Sequence, residues 1–405
     1  MKHHLLPFLS LITFIGSAHS ETLSMSDVIA RGIARSPLVA AAAKRTTAAK
    51  EALDAVQSAA PFMVEIAPGL GFTNGNALLS KPFDIAGARA SRVRIAKGEL
   101  DGAVAGEGAI RLQVSEKLGL AYIDVIQAVR AEKLARESFT FIKDLVTAVT
   151  TKVGIGDAPL VDQLRAEIEL AKAEHEVLRT SSDTRNAVTA LNRMLDRNSE
   201  AELSTIDVSD LPAVPKSSEF LINLARTRHP VILAARAETI AADGAIGFAR
   251  TLGRPMLNAD IATDFWSLDR QASQRTLGFQ LRYSVPVGPN PAVQATIRRR
   301  EAEFSAVEAT LRSVEEEVSI LVERRWSELR TSRDTAIRFQ MEVLPRVERL
   351  LKATQTGYTT GISTVIDVIG AQRELNLARK ESDRLIMDTV RAAITLETAV
   401  GETIK

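Results

Sequence analysis

The sequence predicts a mainly α-helical protein with a small β part, in which one structural unit is used twice. Three observations carry this expectation: long proline-free stretches with helical periodicity, two short regions of alternating apolar and polar residues, and motifs that return at about half the chain length. Composition agrees, since aromatics make up only 4% of 405 residues while charged side chains reach 25%. Such a mixture suits long helices in close contact better than an ordinary mixed globule.

The chain opens Met1-Lys2-His3-His4, continues with an apolar run from Leu5 to Ile15, and then reads Gly16-Ser17-Ala18-His19-Ser20. A basic front, a short apolar run and a small-residue exit are the layout of a cleavable secretory signal over residues 1–20, with cleavage after Ser20 or Ala18. Losing Lys2 leaves basic and acidic side chains in balance, which argues against nucleic acid or an anionic membrane surface as partner. With no cysteine, the exported chain holds no disulfide, no thiolate zinc site and no lipid on an N-terminal cysteine. No other stretch approaches the ~20 apolar residues of a membrane-spanning helix. Any crossing must therefore be made by β-strands.

The repeat shows first in Ile33-Ala34-Arg35-Ser36-Pro37-Leu38-Val39-Ala40-Ala41, which returns as Leu224-Ala225-Arg226-Thr227-Arg228-His229-Pro230-Val231-Ile232-Leu233-Ala234-Ala235. Val153-Gly154-Ile155-Gly156-Asp157 is echoed by Thr360-Gly361-Ile362-Ser363-Thr364, a spacing of 207 against 193 for the proline pair. We expect repeats over about 21–200 and 217–405, joined by a linker at 198–218 within a single elongated domain, 21–405. The run Asp207-Val208-Ser209-Asp210-Leu211-Pro212-Ala213-Val214-Pro215 breaks the helical pattern there.

Each repeat reads as helix, hairpin, very long helix, tight turn and long helix. From Asp84 to Lys152 there is no proline, and about 70 residues at ~1.5 Å each give a helix on the order of 100 Å. In the last helix Val368, Ala371, Leu375, Ala378, Ser382, Leu385, Thr389, Ala392, Leu396 and Ala399 step by three and four, a heptad seam for antiparallel coiled-coil packing.

The alternating regions read as strands. Leu257, Ala259, Ile261, Thr263 and Phe265 alternate with Asn258, Asp260, Ala262 and Asp264; after a polar loop from Ser267 to Arg275, Leu277, Phe279, Leu281, Tyr283, Val285 and Val287 alternate with Gly278, Gln280, Arg282, Ser284 and Pro286. Each run matches the ~9 to 11 residues of a tilted transmembrane strand, with Leu277, Phe279, Leu281 and Tyr283 as the lipid-facing set and Trp266 an interfacial aromatic at the hairpin end. In the first repeat Phe62, Val64, Ile66, Pro68, Leu70 and Phe72 alternate with Met63, Glu65, Ala67, Gly69 and Gly71, and a less regular return strand covers 76–83. Half-buried hairpins of a water-soluble protein carry the same alternation.

No phosphate loop, nucleophile elbow or helical pair of metal-binding histidines occurs, and Gly69-Leu70-Gly71 lacks the third glycine of a dinucleotide loop. Beyond the signal only His175 and His229 remain. His175 continues the stepping of Leu164, Ile168 and Ala171 towards Leu178, which reads as an imidazole packed in a seam. The runs Glu315-Glu316-Glu317 and Arg298-Arg299-Arg300 read as solvated helix faces. No catalytic residue, cofactor site or metal site is expected, and hence no enzyme.

Taken in order, these motifs resemble the TolC family of outer-membrane efflux proteins. Ser36-Pro37 and His229-Pro230 stand where the family usually has Asn-Pro. Ser80-Lys81-Pro82-Phe83-Asp84-Ile85-Ala86-Gly87-Ala88-Arg89 is similar to its strand-to-helix junction, in the heavy-metal (CzcC-like) branch especially, and Ser284-Val285-Pro286-Val287-Gly288-Pro289-Asn290 to the second junction. The resemblance implies a homotrimer whose twelve strands close one barrel in outer-membrane lipid, continued by a helical α-barrel in the periplasm. The implied function is passive conduction of metal ions, drugs or other small molecules from an inner-membrane pump and its periplasmic adaptor to the exterior. It implies adaptor docking at two turns, Val153, Gly154 and Ile155 with Thr360, Gly361 and Ile362, although Thr360 replaces the usual valine. It also implies an acidic periplasmic aperture at Asp367 and Asp162, with Gly370 where a second aspartate would follow Asp367. Two alternatives stay open: a periplasmic coiled-coil scaffold, which would partition with soluble proteins, and the outer-membrane duct of a type I protein secretion system.

Overall fold

The computed structural model describes residues 21–67, 75–205, 210–266 and 277–402. The expected signal, both hairpin loops, the core of the expected linker and the side chain of Trp266 lie outside the described residues.

The chain runs β1 (Glu21–Leu23), α1 (Met25–Arg35), α2 (Pro37–Gln57), β2 (Met63–Ala67), β3 (Gly75–Phe83), α3 (Ala88–Gly154), α4 (Leu160–Met194), β4 (Leu203–Thr205), α5 (Ser218–Arg228), α6 (Pro230–Thr251), β5 (Met256–Trp266), β6 (Leu277–Ser284), α7 (Pro291–Arg338), a π-helical turn (Phe339–Val343), α8 (Leu344–Thr359) and α9 (Val365–Val400). Pro37 and Pro230 both open helices, where a missing N–H costs nothing. Each follows a cap whose side chain accepts a backbone N–H: Ser36 Oγ from Val39 at 3.5 Å, His229 Nδ1 from Val231 at 3.3 Å. The π turn immediately precedes Pro345, whose ring would press on the carbonyl four residues back in a regular helix.

Left-handed backbone falls at three matched places in the two halves of the chain. Gly87 (φ +80°) and Gly288 (φ +90°) precede α3 and α7; Gly156 (+81°) and Gly361 (+77°) follow α3 and α8; Asp196 (+52°) and Gly401 (+85°) follow α4 and α9. At Gly156 the next amide, Asp157 N, reaches Lys152 O at 2.8 Å and Gly156 N reaches Val153 O at 3.1 Å; at Gly361 the matching bonds are Ile362 N to Gly357 O, 2.8 Å, and Gly361 N to Tyr358 O, 3.4 Å. Both are Schellman caps, which satisfy helix-end carbonyls through a left-handed residue. This corrects the first turn: the left-handed glycine is Gly156, while Gly154 is the last helical residue of α3.

Two compact units make up the chain, one from Met1–Arg35, Lys117–Pro212 and Arg333–Arg391, the other from Ser36–Glu116, Ala213–Ser332 and Ala392–Lys405. In the first, Ile142, Leu145 and Val149 of α3 pack with Ala166 of α4 and Val365, Val368 and Ile369 of α9. Polar links set the directions. Arg391 meets Asp124 at 2.7 Å and Asn376 donates to Ser138 at 2.7 Å, so α9 runs antiparallel to α3. Arg373 meets Glu169, and Lys380 meets Glu176 at 2.6 Å, so α9 runs parallel to α4. The predicted seam on α9 is buried at Val368, Ala371, Leu375, Ala378, Ser382, Thr389, Leu396 and Ala399. A parallel pair, β1 with β4, sits beneath Tyr122, whose hydroxyl donates to Leu23 O at 2.8 Å.

One seam is not packed as expected. Leu164, Ile168, Ala171, His175 and Leu178 are all exposed on the protomer, because α4 turns Ala166 and Thr180 inward instead. His175 therefore has no packed seam among the described residues.

In the second unit Leu221 and Ala225 of α5, Ile232 of α6, Val318, Val322 and Leu329 of α7 and Leu396, Ala399 and Val400 of α9 form the core. Where α3 crosses α6 the backbones nearly touch: a Cβ at Gly98 would lie 2.6 Å from Ala241 N.

Candidate functional site

Two regions carry the residues that the sequence singled out, and each is described by itself. The first is a four-stranded antiparallel sheet in the order β2-β3-β5-β6, so that the hairpins of the two halves join through β3 and β5. Strand 76–83, expected to be less regular, pairs β5 along its length, with a register shift between Gly75 and Asn76, and pairs β2 over Asn76–Ser80, so that Pro82 lies beyond the last residue that β2 pairs.

Register puts side chains in rows. Val64, Leu79, Ile261 and Phe279 form one row; Ile66, Ala77, Thr263 and Leu277 the next; Phe83, Leu257 and Tyr283 close the helix-proximal end. All lie on one face, because side chains alternate along a strand. That face is uncovered: Leu277 is 78% and Phe279 70% exposed. Lys81 is the charged residue of this face, in the row with Ala259 and Leu281, and its Nζ sits 4.3 Å from the Phe62 ring centroid. The opposite face carries Glu65, Ser80, Asn258, Asp260, Gln280 and Arg282. Asp260 is buried, accepting from Ser80 Oγ at 2.6 Å and pairing with Arg282 at 3.0 Å, which ties three strands together. That link was not foreseen, because it spans both hairpins and sequence alternation shows only one strand at a time.

The second region is the pair of turns after α3 and α8. Lys152 Nζ lies 4.2 Å from the Tyr358 ring centroid and donates to Tyr358 O at 3.4 Å, which fixes the turns side by side. Of the expected docking residues, Val153 packs inward on the α3–α4–α9 core. Gly154, Thr360 and Gly361 are exposed, and Ile155 and Ile362 project furthest, at 74% and 85% exposure. Leu160, Val161 and Ile366 add exposed apolar surface that sequence reading passed over. Beneath the turns the buried Tyr358 hydroxyl has no hydrogen-bond partner. Burial, with Asp162 adding to it, pushes the Tyr358 phenol up.

Asp162 and Asp367 occupy the same third helical position of α4 and α9 but are held differently. Asp367 Oδ2 accepts from Thr364 N and Thr364 Oγ1, both at 2.8 Å, while Asp367 N donates back to Thr364 Oγ1 at 3.3 Å. This reciprocal capping box holds the Asp367 carboxyl below its ordinary range, chiefly through the Thr364 backbone N–H. Pro159 gives α4 no side-chain cap, and Asp162 instead faces Arg165 at 3.7 Å.

No helix among the described residues is long and apolar enough to cross a membrane. No group of three or more His, Cys, Asp or Glu able to hold a metal ion occurs among them either.

Residues 221–402 match the family model for outer membrane efflux protein. The chain is 23% identical to the cobalt-zinc-cadmium resistance protein CzcC of Cupriavidus metallidurans, over 80% of this chain and 76% of that one. It is 24% identical to the outer membrane protein TolC of Vibrio cholerae, over 70% and 67%. The solved structure of the outer membrane protein VceC of Vibrio cholerae superposes with a TM-score of 0.76 at 16% identity, covering 94% of this chain and 97% of that one. In its strand order, its paired turns and these matches, the chain is similar to the outer membrane efflux proteins, and the family model covers its second half, residues 221–402.

Proposed function

We propose that this chain is one protomer of a trimeric duct that carries solutes passively across the outer membrane. The observation that carries this reading is the sheet: one face is mainly apolar with Lys81 as its charged residue, the other carries Asp260, Gln280 and Arg282, and among the described residues both outer edges, β2 and β6, lack a strand partner within the protomer. In lipid an open edge strands backbone N–H and C=O groups without partners, so a closed barrel is the physical solution. Three copies supply twelve strands, with Asp260, Gln280 and Arg282 towards the lumen. Matched left-handed residues and matched caps support descent of the two halves from one duplicated unit.

The exposed stripe Leu164, Ile168, Ala171, His175 and Leu178 has heptad spacing and fits a helix of a neighbouring copy. The projecting pair Ile155 and Ile362 is the docking edge for the periplasmic adaptor of an inner-membrane pump, and Asp162 and Asp367 border the aperture. The name of the CzcC relative points to divalent metal cations as cargo; conduction needs no chemistry from this chain. Purification in mild detergent with a mass measurement tests the reading. The expected result is a detergent-dependent trimer, and a monomer soluble without detergent would end it. Ile155→Asp with Ile362→Asp should abolish pump-dependent resistance at normal trimer levels.

A further inference from the structure

We propose that the arginine-rich helix ends beside the sheet form a collar that binds anionic phospholipid headgroups. The proposal rests on the lipid-facing reading of the apolar sheet face and adds a chemical preference to it. From Ala88 to Lys97, α3 carries Arg89, Arg92, Arg94 and Lys97 with no acidic residue, and α7 carries Arg298, Arg299 and Arg300 before its first acid. Neither helix has an acidic side chain in its first turn. Arg89, in the first turn of α3, opposes the helix dipole there and so does not stabilise its own helix end.

Some of these cations are used within the protomer. Arg94 meets Asp243 at 2.5 Å, Arg250 meets Glu301 at 3.0 Å, Arg300 meets Glu303 at 2.7 Å, and Arg254 donates to Ala86 O at 3.1 Å. Asp84 is occupied by the backbone N–H groups of Ala88 and Arg89. Arg89, Arg92, Lys97 and Arg298 are exposed and have no ion-pair partner among the described residues.

Their position selects the ligand. The row Phe83, Leu257 and Tyr283 ends the apolar face with two aromatic rings; the adjoining junctions carry Arg254 just before β5 and Arg89 and Arg92 at the start of α3, with Arg298 two turns into α7. Aromatic rings favour the boundary between hydrocarbon and headgroups, and guanidinium groups just beyond it meet phosphate, which they bind as a planar fork. The balanced charge of the whole chain argues against an anionic surface as partner, but it averages over the chain and does not register the local basic run from Arg89 to Lys97.

The test measures the melting midpoint of purified protein in non-ionic detergent with added short-chain phosphatidylglycerol or phosphatidylcholine. Phosphatidylglycerol should raise the midpoint more than phosphatidylcholine. Arg89→Gln with Arg92→Gln and Arg298→Gln should weaken phosphatidylglycerol binding by about tenfold or more. Arg312→Gln with Arg349→Gln, exposed arginines far along α7 and α8, should leave it unchanged. An undiminished response in the triple variant, or the same response to inorganic phosphate, overturns the collar. A detergent-dependent trimer without lipid preference removes only this proposal, whereas a protein soluble without detergent removes the membrane reading as well.

Discussion

The two halves of the chain follow the same path with different surfaces. α3 is one continuous helix, whereas its counterpart is broken into α7 and α8 by a π turn at Phe339–Val343 ahead of Pro345. α4 exposes Leu164, Ile168, Ala171, His175 and Leu178; α9, 205 positions on, has Ile369, Arg373, Asn376, Lys380 and Asp383, with the isoleucine buried and the rest polar. Arg373 and Lys380 are spent on Glu169 and Glu176 of α4, and the Arg179 hydrogen bond, with Lys380, holds the Glu176 carboxyl at about 2. Matched backbone geometry thus carries unlike surfaces in the two halves. At these positions α9 spends its side chains on α4, while α4 leaves an apolar stripe uncovered on the protomer.

The largest effect should come from the sheet, where the halves meet. Phe279→Lys puts an ammonium in the central row of the apolar face, at a cost of roughly 2–4 kcal/mol if that row lies mid-bilayer. Gln280→Lys, one residue on and on the other face, should be tolerated. Quantifying heat-resistant trimer in membranes reads this difference, and equal losses would mean that the faces are wrongly assigned. Phe279 is a sharper site than Leu281, whose row already contains Lys81.

Next come the turns. Gly156→Ala and Gly361→Ala should each lower stability by about 1–2 kcal/mol, since both residues are left-handed. Gly154→Ala should be neutral or slightly stabilising, since Gly154 is helical and a Cβ there meets nothing within 4 Å. Thermal unfolding of the three variants distinguishes this register from the one that pairs Gly154 with Gly361.

The smallest effect separates the two helix starts. Thr364→Ala should cost about 1 kcal/mol, the worth of a lost N-cap, and α4 has no equivalent to lose. Because Asp367 titrates below its ordinary value when folded, its contribution is present above the ordinary carboxylate range and is lost as pH falls through the folded value. Melting of wild type should thus fall on acidification more steeply than that of Asp367→Asn, and parallel curves would remove the capping box as the cause.

Local periodicity made the hairpins, the long helices, the α9 seam and the strand alternation legible in the sequence, and prolines marked two helix starts; the β1–β4 pair and the π turn between α7 and α8 left no such periodic signal. The first turn was misread by two residues, since several glycines stood close together and only the carbonyl geometry of the helix end selects Gly156. That α4 leaves its stripe uncovered was equally invisible: apolar spacing says that a seam exists but not whether its partner lies in the same chain. Tertiary structure alone decided the β3–β5 pairing and the burial of Asp260 between Ser80 and Arg282, because those residues lie about 180 and 20 positions away in sequence and are joined only by strand register.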